Sequence, residues 1–251
     1  MYINNNFSSP SYATREKKIE YIILHYTELT FDEALAKLID EQSQVSAHYL
    51  IKENGQVFRL VSDDKIAWHA GDSAWKKSTK LNQNSIGIEI DNLGKGDFSS
   101  AQMLACIDLC HSLVAKHDLN PANIIGHSDV APDRKLDPGI FFNWSLLAKN
   151  GLGMQHNLTY SDSAAKEILF EYKKKNAGIS KLQKNLKKLG YKIEPTGELD
   201  IQTSSVIRAF QGRFCPQVIK AKGGIDFYRN LASQYNWDAF SHMALEKLLQ
   251  S

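Results

Sequence analysis

The chain has 251 residues, more than one minimal domain needs and enough for a catalytic domain with a small accessory one. Apolar residues make up 43% and charged residues 23%, which excludes wholesale disorder and collagen-like repeats. Thirty basic residues against 28 acidic ones leave a formal charge of only +2, so no global field draws in a polyanion and nucleic acid is excluded as the main partner.

Residues 1–18 are polar, rich in Asn and Ser, and read as an arm. Tyr21-Ile22-Ile23-Leu24 is a continuous apolar run, as expected of a central strand covered on both faces, and it ends in His25. Phe31, Ala34, Leu35, Leu38 and Ile39 follow helical spacing and predict an amphipathic helix. AHYLIK and QVFRL flank Glu53-Asn54-Gly55, a hairpin signal because Asn and Gly both tolerate positive φ. After a loop from Ala67 to Gln83, SIGIEID reads as a second buried strand. Ser99 with Gln102 three residues on forms a capping box that opens a helix through Met103, Cys106, Ile107, Cys110, Leu113 and Val114. A short strand over 123–126 precedes the loop HSDVAPDRKLDPG, which is too rich in proline to be helical. Residues 19–150 are therefore expected to be an α/β domain, a mixed central β-sheet flanked by helices. Residues 151–160 read as a linker. Residues 161–251 are expected to be a small all-α domain, with helical spacing near 161–173, 178–190, 201–214 and 238–250.

Four of the eight histidines occupy suggestive places: His25 at a strand end, His48 on the hairpin, His69 in Trp-His-Ala-Gly, and His127 after the short strand. Three aspartates, Asp129, Asp133 and Asp137, follow His127. Hydrolytic zinc sites typically offer three nitrogen or oxygen ligands and leave a fourth position to water. His25, His127 and one of the three aspartates would supply that set, and the net positive charge left on the site would acidify water. Aspartates beside proline also serve simply as turn formers. Glu89, set between two isoleucines on a buried strand, needs a cation or donor nearby, as a proton carrier in catalysis or as one half of an ion pair at a sheet edge. Cys106 and Cys110 share a helix face with apolar residues and read as buried thiols. Lys173, Lys174, Lys175, Lys181, Lys184, Lys187, Lys188 and Lys192 read as a solvated surface.

HYT at 25–27, SAHYLI at 46–51, AWHAG at 67–71, NQNSIGIEI at 82–90 and GHSDVAPDRKLDPG at 126–139 together resemble the zinc-dependent N-acetylmuramoyl-L-alanine amidases of the type-2 amidase family. The resemblance implies His25, His127 and Asp137 as zinc ligands, Glu89 as general base, and Lys135 as the cation that steadies the oxyanion. His48, Trp68, His69 and Asn84 match positions near the cleft and are assigned to substrate positioning or to support of the ligands. The implied substrate is peptidoglycan or its muropeptides, including the 1,6-anhydro form. The rival function is a non-catalytic peptidoglycan recognition protein. LQKNLKKLGY at 182–191, TGELD at 196–200 and Ala209-Phe210-Gln211 resemble a three-helix peptidoglycan-binding domain. No stretch approaches the roughly 18 apolar residues of a membrane span, and residues 1–18 lack the apolar core of a secretory signal. A wall-binding module nonetheless suits the periplasm or cell envelope, with the cytoplasm as the alternative.

Overall fold

The computed structural model describes residues 2–230 and 235–250. Met1, residues 231–234 and Ser251, which fall in the expected arm and helical domain, lie outside the described residues. In chain order the elements begin with β1 (Ile3–Asn4), β2 (Tyr12–Thr14), β3 (Tyr21–Tyr26), α1 (Phe31–Ile39), β4 (Tyr49–Ile51), β5 (Val57–Arg59), β6 (Lys65–Ala67), β7 (Ala74–Trp75) and β8 (Ser78–Thr79). They continue with β9 (Ser85–Ile90), α2 (Ser100–His117), β10 (Ile124–Gly126), α3 (His127–Val130), α4 (Trp144–Lys149), α5 (Asp162–Lys166) and β11 (Ile168–Phe170). The last are α6 (Ala177–Leu189), α7 (Ile201–Phe214), α8 (Pro216–Ala221), α9 (Gly224–Arg229), β12 (Trp237–Asp238) and α10 (Ala239–Leu248). The chain divides into two compact units, one of Met1–Ser73, Thr79–His127 and Phe141–Gly153, the other of Ala74–Ser78, Ser128–Ile140 and Met154–Ser251.

The first unit is built on a six-stranded mixed sheet of order β1-β5-β4-β9-β3-β10. Strands β4, β9, β3 and β10 are mutually parallel, and β5 returns antiparallel beside β4. Because side chains alternate across a strand, Ile22, Leu24, Ile86, Ile88 and Ile90 enter one core with Met103, Cys106, Ile107, Cys110 and Leu113 of α2. The opposite face is left to Ile23, His25, Gly87 and Glu89 in the centre, while α1 covers its margin by packing Leu35 and Leu38 on Leu50 and Phe58. The predicted capping box starts α2: the Ser99 Oγ accepts from the Gln102 N–H at 3.0 Å, and the Gln102 Oε1 accepts from the Ser99 N–H at 3.0 Å. The buried thiols are as read, and all three cysteines are free.

Two local expectations change. In the hairpin only Gly55 takes positive φ, +82°, and the Gly55 N–H donates to the Lys52 carbonyl at 2.8 Å. The connection is thus a turn closed by a left-handed glycine rather than a two-residue loop using both Asn and Gly. Residues 2–18 are not a loose arm. Strand β1 pairs with β5, β2 pairs with β6, and the Arg15 guanidinium donates to the carbonyls of Asp63, Lys65, Gln83 and Ser85 at 2.7–3.1 Å. Five guanidinium N–H donors satisfy several backbone carbonyls at once, from partners 48–70 residues away that no local pattern reveals.

The second unit is mainly helical. Ile179, Leu182, Leu186 and Leu189 line the buried side of α6, and the side chains of Asn176, Asp200 and Asp238 cap α6, α7 and α10 by accepting from N–H groups of their first turns. The stretch expected as a helix over 161–173 is instead the short α5 followed by β11, which pairs antiparallel with β12. Its Ile-Leu-Phe sequence suits a strand once Trp237 lies beside it. Helices α8 and α9 extend the unit beyond Cys215, where the resemblance thins. The segment after β10 opens with the single turn α3, which the prolines at 132 and 138 allow because both come after it. The eight lysines from 173 to 192 are all exposed. No helix among the described residues is long and apolar enough to cross a membrane.

Candidate active site

Strand register assembles the site. His25 and Glu89 are direct partners across β3 and β9, and β10 aligns Gly126 with Leu24, so His127 emerges next to His25. All three lie at the carboxyl ends of parallel strands, where open α/β sheets place their ligands. His25 Nδ1 is 2.9 Å from His127 Nδ1 and 4.0 Å from Glu89 Oε1. The ligand atoms of His25, His127 and Asp137 all lie within 4.8 Å of one another, and all three residues are buried. The aspartates that spacing left unranked are now distinct. Asp133 is exposed, and Asp129 is fully buried and accepts bonds from Arg213 and Tyr191.

The hydrogen-bond network assigns the imidazole tautomers. Ser85 Oγ donates to the Leu81 carbonyl at 2.6 Å, so it accepts from His69 Nε2–H at 3.2 Å. His69 Nδ1 then accepts from His25 Nε2–H at 3.0 Å, which leaves the His25 Nδ1 lone pair facing His127. His127 Nε2–H donates to the Ala70 carbonyl at 3.2 Å, so its Nδ1 also carries a lone pair. Two imidazole lone pairs at this separation, with a carboxylate beside them, form a donor set that a divalent cation satisfies. This chemistry fits zinc, which takes imidazole and carboxylate ligands and keeps an open position. His69 itself stays neutral: burial first, and then the neighbouring His25, His48 and His127, hold it well below the ordinary histidine range.

Local sequence explains the fit. A Cβ at Gly87 would lie 2.3 Å from the His69 ring, so only glycine leaves space for that ring against the strand. Asn82 Oδ1 accepts from the N–H groups of His69 and Ala70 at 3.1 and 2.7 Å and fixes the backbone that carries both supports. Gly87, Ser85 and Asn82 lie in the block NQNSIGIEI, but little local in it marks them as supports of the site. The isolated glycine inside a strand pattern is the one local signal, since it marks a close approach to the backbone.

The remaining predicted residues are spread more widely. Lys135 is half-buried, two positions before Asp137 in the same segment, and Trp68 is half-buried next to His69. His48 is fully buried between the Gly87 N–H at 2.9 Å and the Lys65 carbonyl at 3.2 Å, so of the two expected roles it is placed for support rather than substrate contact, its ring 5.6 Å from that of His69. Asn84 bonds Glu20 at 2.6 Å at the amino ends of β3 and β9. Five residues of strand put it about 17 Å from Glu89, away from the site.

Both parts of the chain have relatives among known proteins. Residues 15–140 match the N-acetylmuramoyl-L-alanine amidase family, and residues 175–218 match a peptidoglycan binding domain family. The N-acetylmuramoyl-L-alanine amidase AmiD of Escherichia coli K12 is 35% identical over 217 residues, 79% of this chain and 76% of that protein. The structure of E. coli AmiD in complex with anhydro-N-acetylmuramic acid-L-Ala-D-γ-Glu-L-Lys superposes with a TM-score of 0.74 at 32% identity, covering 93% of this chain and 90% of that one. AmpDh3 of Pseudomonas aeruginosa in complex with anhydromuramic pentapeptide gives a TM-score of 0.71 at 26% identity, covering 93% and 92%. With its mixed sheet, its helical second unit and this extent of likeness, the chain belongs to the N-acetylmuramoyl-L-alanine amidase family.

Proposed function

We propose that this protein hydrolyses the amide between the lactyl group of N-acetylmuramic acid, including its 1,6-anhydro form, and the L-alanine of the stem peptide, using zinc held by His25, His127 and Asp137. The observation that carries the reading is the convergence of those three ligand atoms within 4.8 Å, with Glu89 4.0 Å from His25. Zinc there supplies Lewis acidity that polarises a carbonyl and acidifies water. Glu89 takes the proton from the attacking water and passes it to the leaving amine, the task a carboxylate suits when it stands at the reacting centre. The Lys135 ammonium stabilises the negative charge that develops on the carbonyl oxygen only in the transition state. His69, backed by Ser85, holds His25 in its ligating tautomer. Trp68 shapes the substrate side of the cleft.

In this reading residues 19–150 form the catalytic domain, joined by the β1 and β2 pairings of the preceding residues, 151–160 the linker, and 161–251 a wall-binding module. Attachment to polymer places the work in the periplasm or envelope. A complete ligand set together with Glu89 favours the enzyme over a non-catalytic recognition protein. Mass spectrometry of muropeptide digests tests the proposal. Release of intact stem peptide and a free muramic carboxyl is the expected result, and cleavage of glycosidic bonds or peptide cross-links in its place refutes it.

A further inference from the structure

Ser128–Ile140, the segment that carries Lys135 and Asp137, belongs to the same compact unit as the C-terminal helices. Side chains of α7 and α9, with Tyr191 just beyond α6, fasten it at three points. Asp129 accepts from Arg213 Nη1 at 2.5 Å and from the Tyr191 hydroxyl at 2.7 Å. Arg208 Nη2 donates to the Pro132 carbonyl at 2.7 Å, and the Tyr228 hydroxyl donates to the Leu136 carbonyl at 3.0 Å. The segment also closes on itself, with the Ser128 N–H donating to the Asp137 carbonyl at 2.8 Å. Tyr191, Arg208, Arg213 and Tyr228 are all buried.

The surrounding sequence makes room for these bonds. A Cβ at Gly212 on α7 would lie 2.6 Å from the Tyr228 hydroxyl, and one at Gly190 would lie 2.4 Å from the Trp75 ring, which stands edge-on to Tyr191 at 4.9 Å. Gly190-Tyr191 belongs to the stretch that resembles a wall-binding domain, yet here the tyrosine points into the protein toward Asp129. Apolar side chains of similar volume would pack such an interior about as stably as a buried ion pair does. Directed bonds to Asp129, Pro132 and Leu136 provide what apolar packing lacks, a defined path for the backbone on both sides of Lys135.

We propose that Tyr191, Arg208, Arg213 and Tyr228 are positioning residues for the amidase reaction, fixing the Ser128–Ile140 segment so that Asp137 is presented as a metal ligand. The inference rests on the zinc amidase reading given above.

The test uses the full-length chain with Tyr191→Phe and Tyr228→Phe combined, each change removing one oxygen and little volume. Zinc affinity is measured by competition with a chromophoric chelator, and kcat and KM are measured at saturating zinc. Loss of supports around a metal ligand lowers affinity by about tenfold or more; the double variant is expected to show that loss, with kcat reduced several-fold and KM within twofold of the parent. A zinc affinity and kcat within twofold of the parent overturn the proposal, even if the thermal midpoint falls. Arg208→Lys against Arg208→Met gives a second reading in case the double variant does not fold. The lysine, which keeps a cationic donor, is expected to retain more zinc affinity, and equal losses count against positioning. Asp137→Ala separates the two levels: a parent chain that neither binds zinc through Asp137 nor cleaves muropeptide defeats the amidase reading itself, whereas an active zinc parent with unaltered tyrosine variants defeats only the brace.

Discussion

Glu89 stands directly opposite His25 across the parallel pair β3 and β9, its Oε1 4.0 Å from the imidazole Nδ1, on the sheet face turned away from α2. The strand is interior, between β4 and β3, so an ion pair at a sheet edge does not account for this carboxylate. Its position beside a candidate metal ligand does. Replacing Glu89 by Gln keeps the shape and removes the proton acceptor. The expected result is a fall in kcat of about 10²–10⁴-fold with zinc content unchanged. Metal analysis alongside muropeptide turnover checks it, and full activity in the Gln variant contradicts the assigned role.

The His69 support predicts a metal phenotype at a residue that is not a ligand. His69→Ala is expected to weaken zinc binding by about 10–100-fold. Gly87→Ala should act the same way through the His69 ring, which its new Cβ would meet at 2.3 Å. Chelator competition on both variants measures the effect. Equal zinc affinity in parent and variants excludes the tautomer relay.

Removal of metal should abolish turnover and lower stability together. A ligand present at 100 times its dissociation constant stabilises the folded state by about 2.7 kcal/mol. Treatment with a strong chelator is expected to lower the thermal midpoint and eliminate stem-peptide release. Stoichiometric zinc should restore both, and activity that survives complete chelation refutes the metal assignment.

Acid should destabilise the metal-free protein through His48. Burial, ahead of the field of Arg15, pushes this imidazole down to about 3, and Asp63, His117 and His69 are the other titratable groups around it. Unfolded, it protonates near the ordinary histidine value of 6.5. Between those values the unfolded chain binds the extra proton, so stability is complete above about pH 6.5 and declines as the pH falls toward 3. His48 alone contributes a slope of about 1.4 kcal/mol per pH unit in that window. Urea unfolding in the presence of chelator, comparing parent and His48→Gln, should show a shallower acid limb in the variant. Identical limbs contradict the prediction.

Arg213→Met should be severely destabilising. It leaves Asp129, fully buried, without its cationic partner, and breaking such a pair from one side costs about 3–5 kcal/mol. Urea denaturation measures the loss, and a change below 1 kcal/mol, the scale of an exposed ion pair, contradicts it.

The sequence by itself determined the strands that carry His25 and Glu89, the capping box of α2, the buried thiols and the family, because these follow from period, local chemistry and contiguous blocks of residues. It also brought forward His25, His127 and three aspartates. Spacing left Asp129, Asp133 and Asp137 unranked and only the family resemblance pointed to Asp137; the physical difference between Asp137 and Asp129 lies in tertiary structure, in Arg213 and Tyr191, 84 and 62 residues distant from Asp129. The same holds for Arg15, whose carbonyl partners turn a polar arm into part of the first unit, and for β11, whose strand partner, Trp237–Asp238, lies far along the chain. His48 and Asn84 sit in blocks that match the family near its cleft, yet one is sealed in the interior beside His69 and the other lies at the far end of the sheet. Periodicity fixes which face a side chain takes. Which distant group meets it there is decided by the packing of the whole chain.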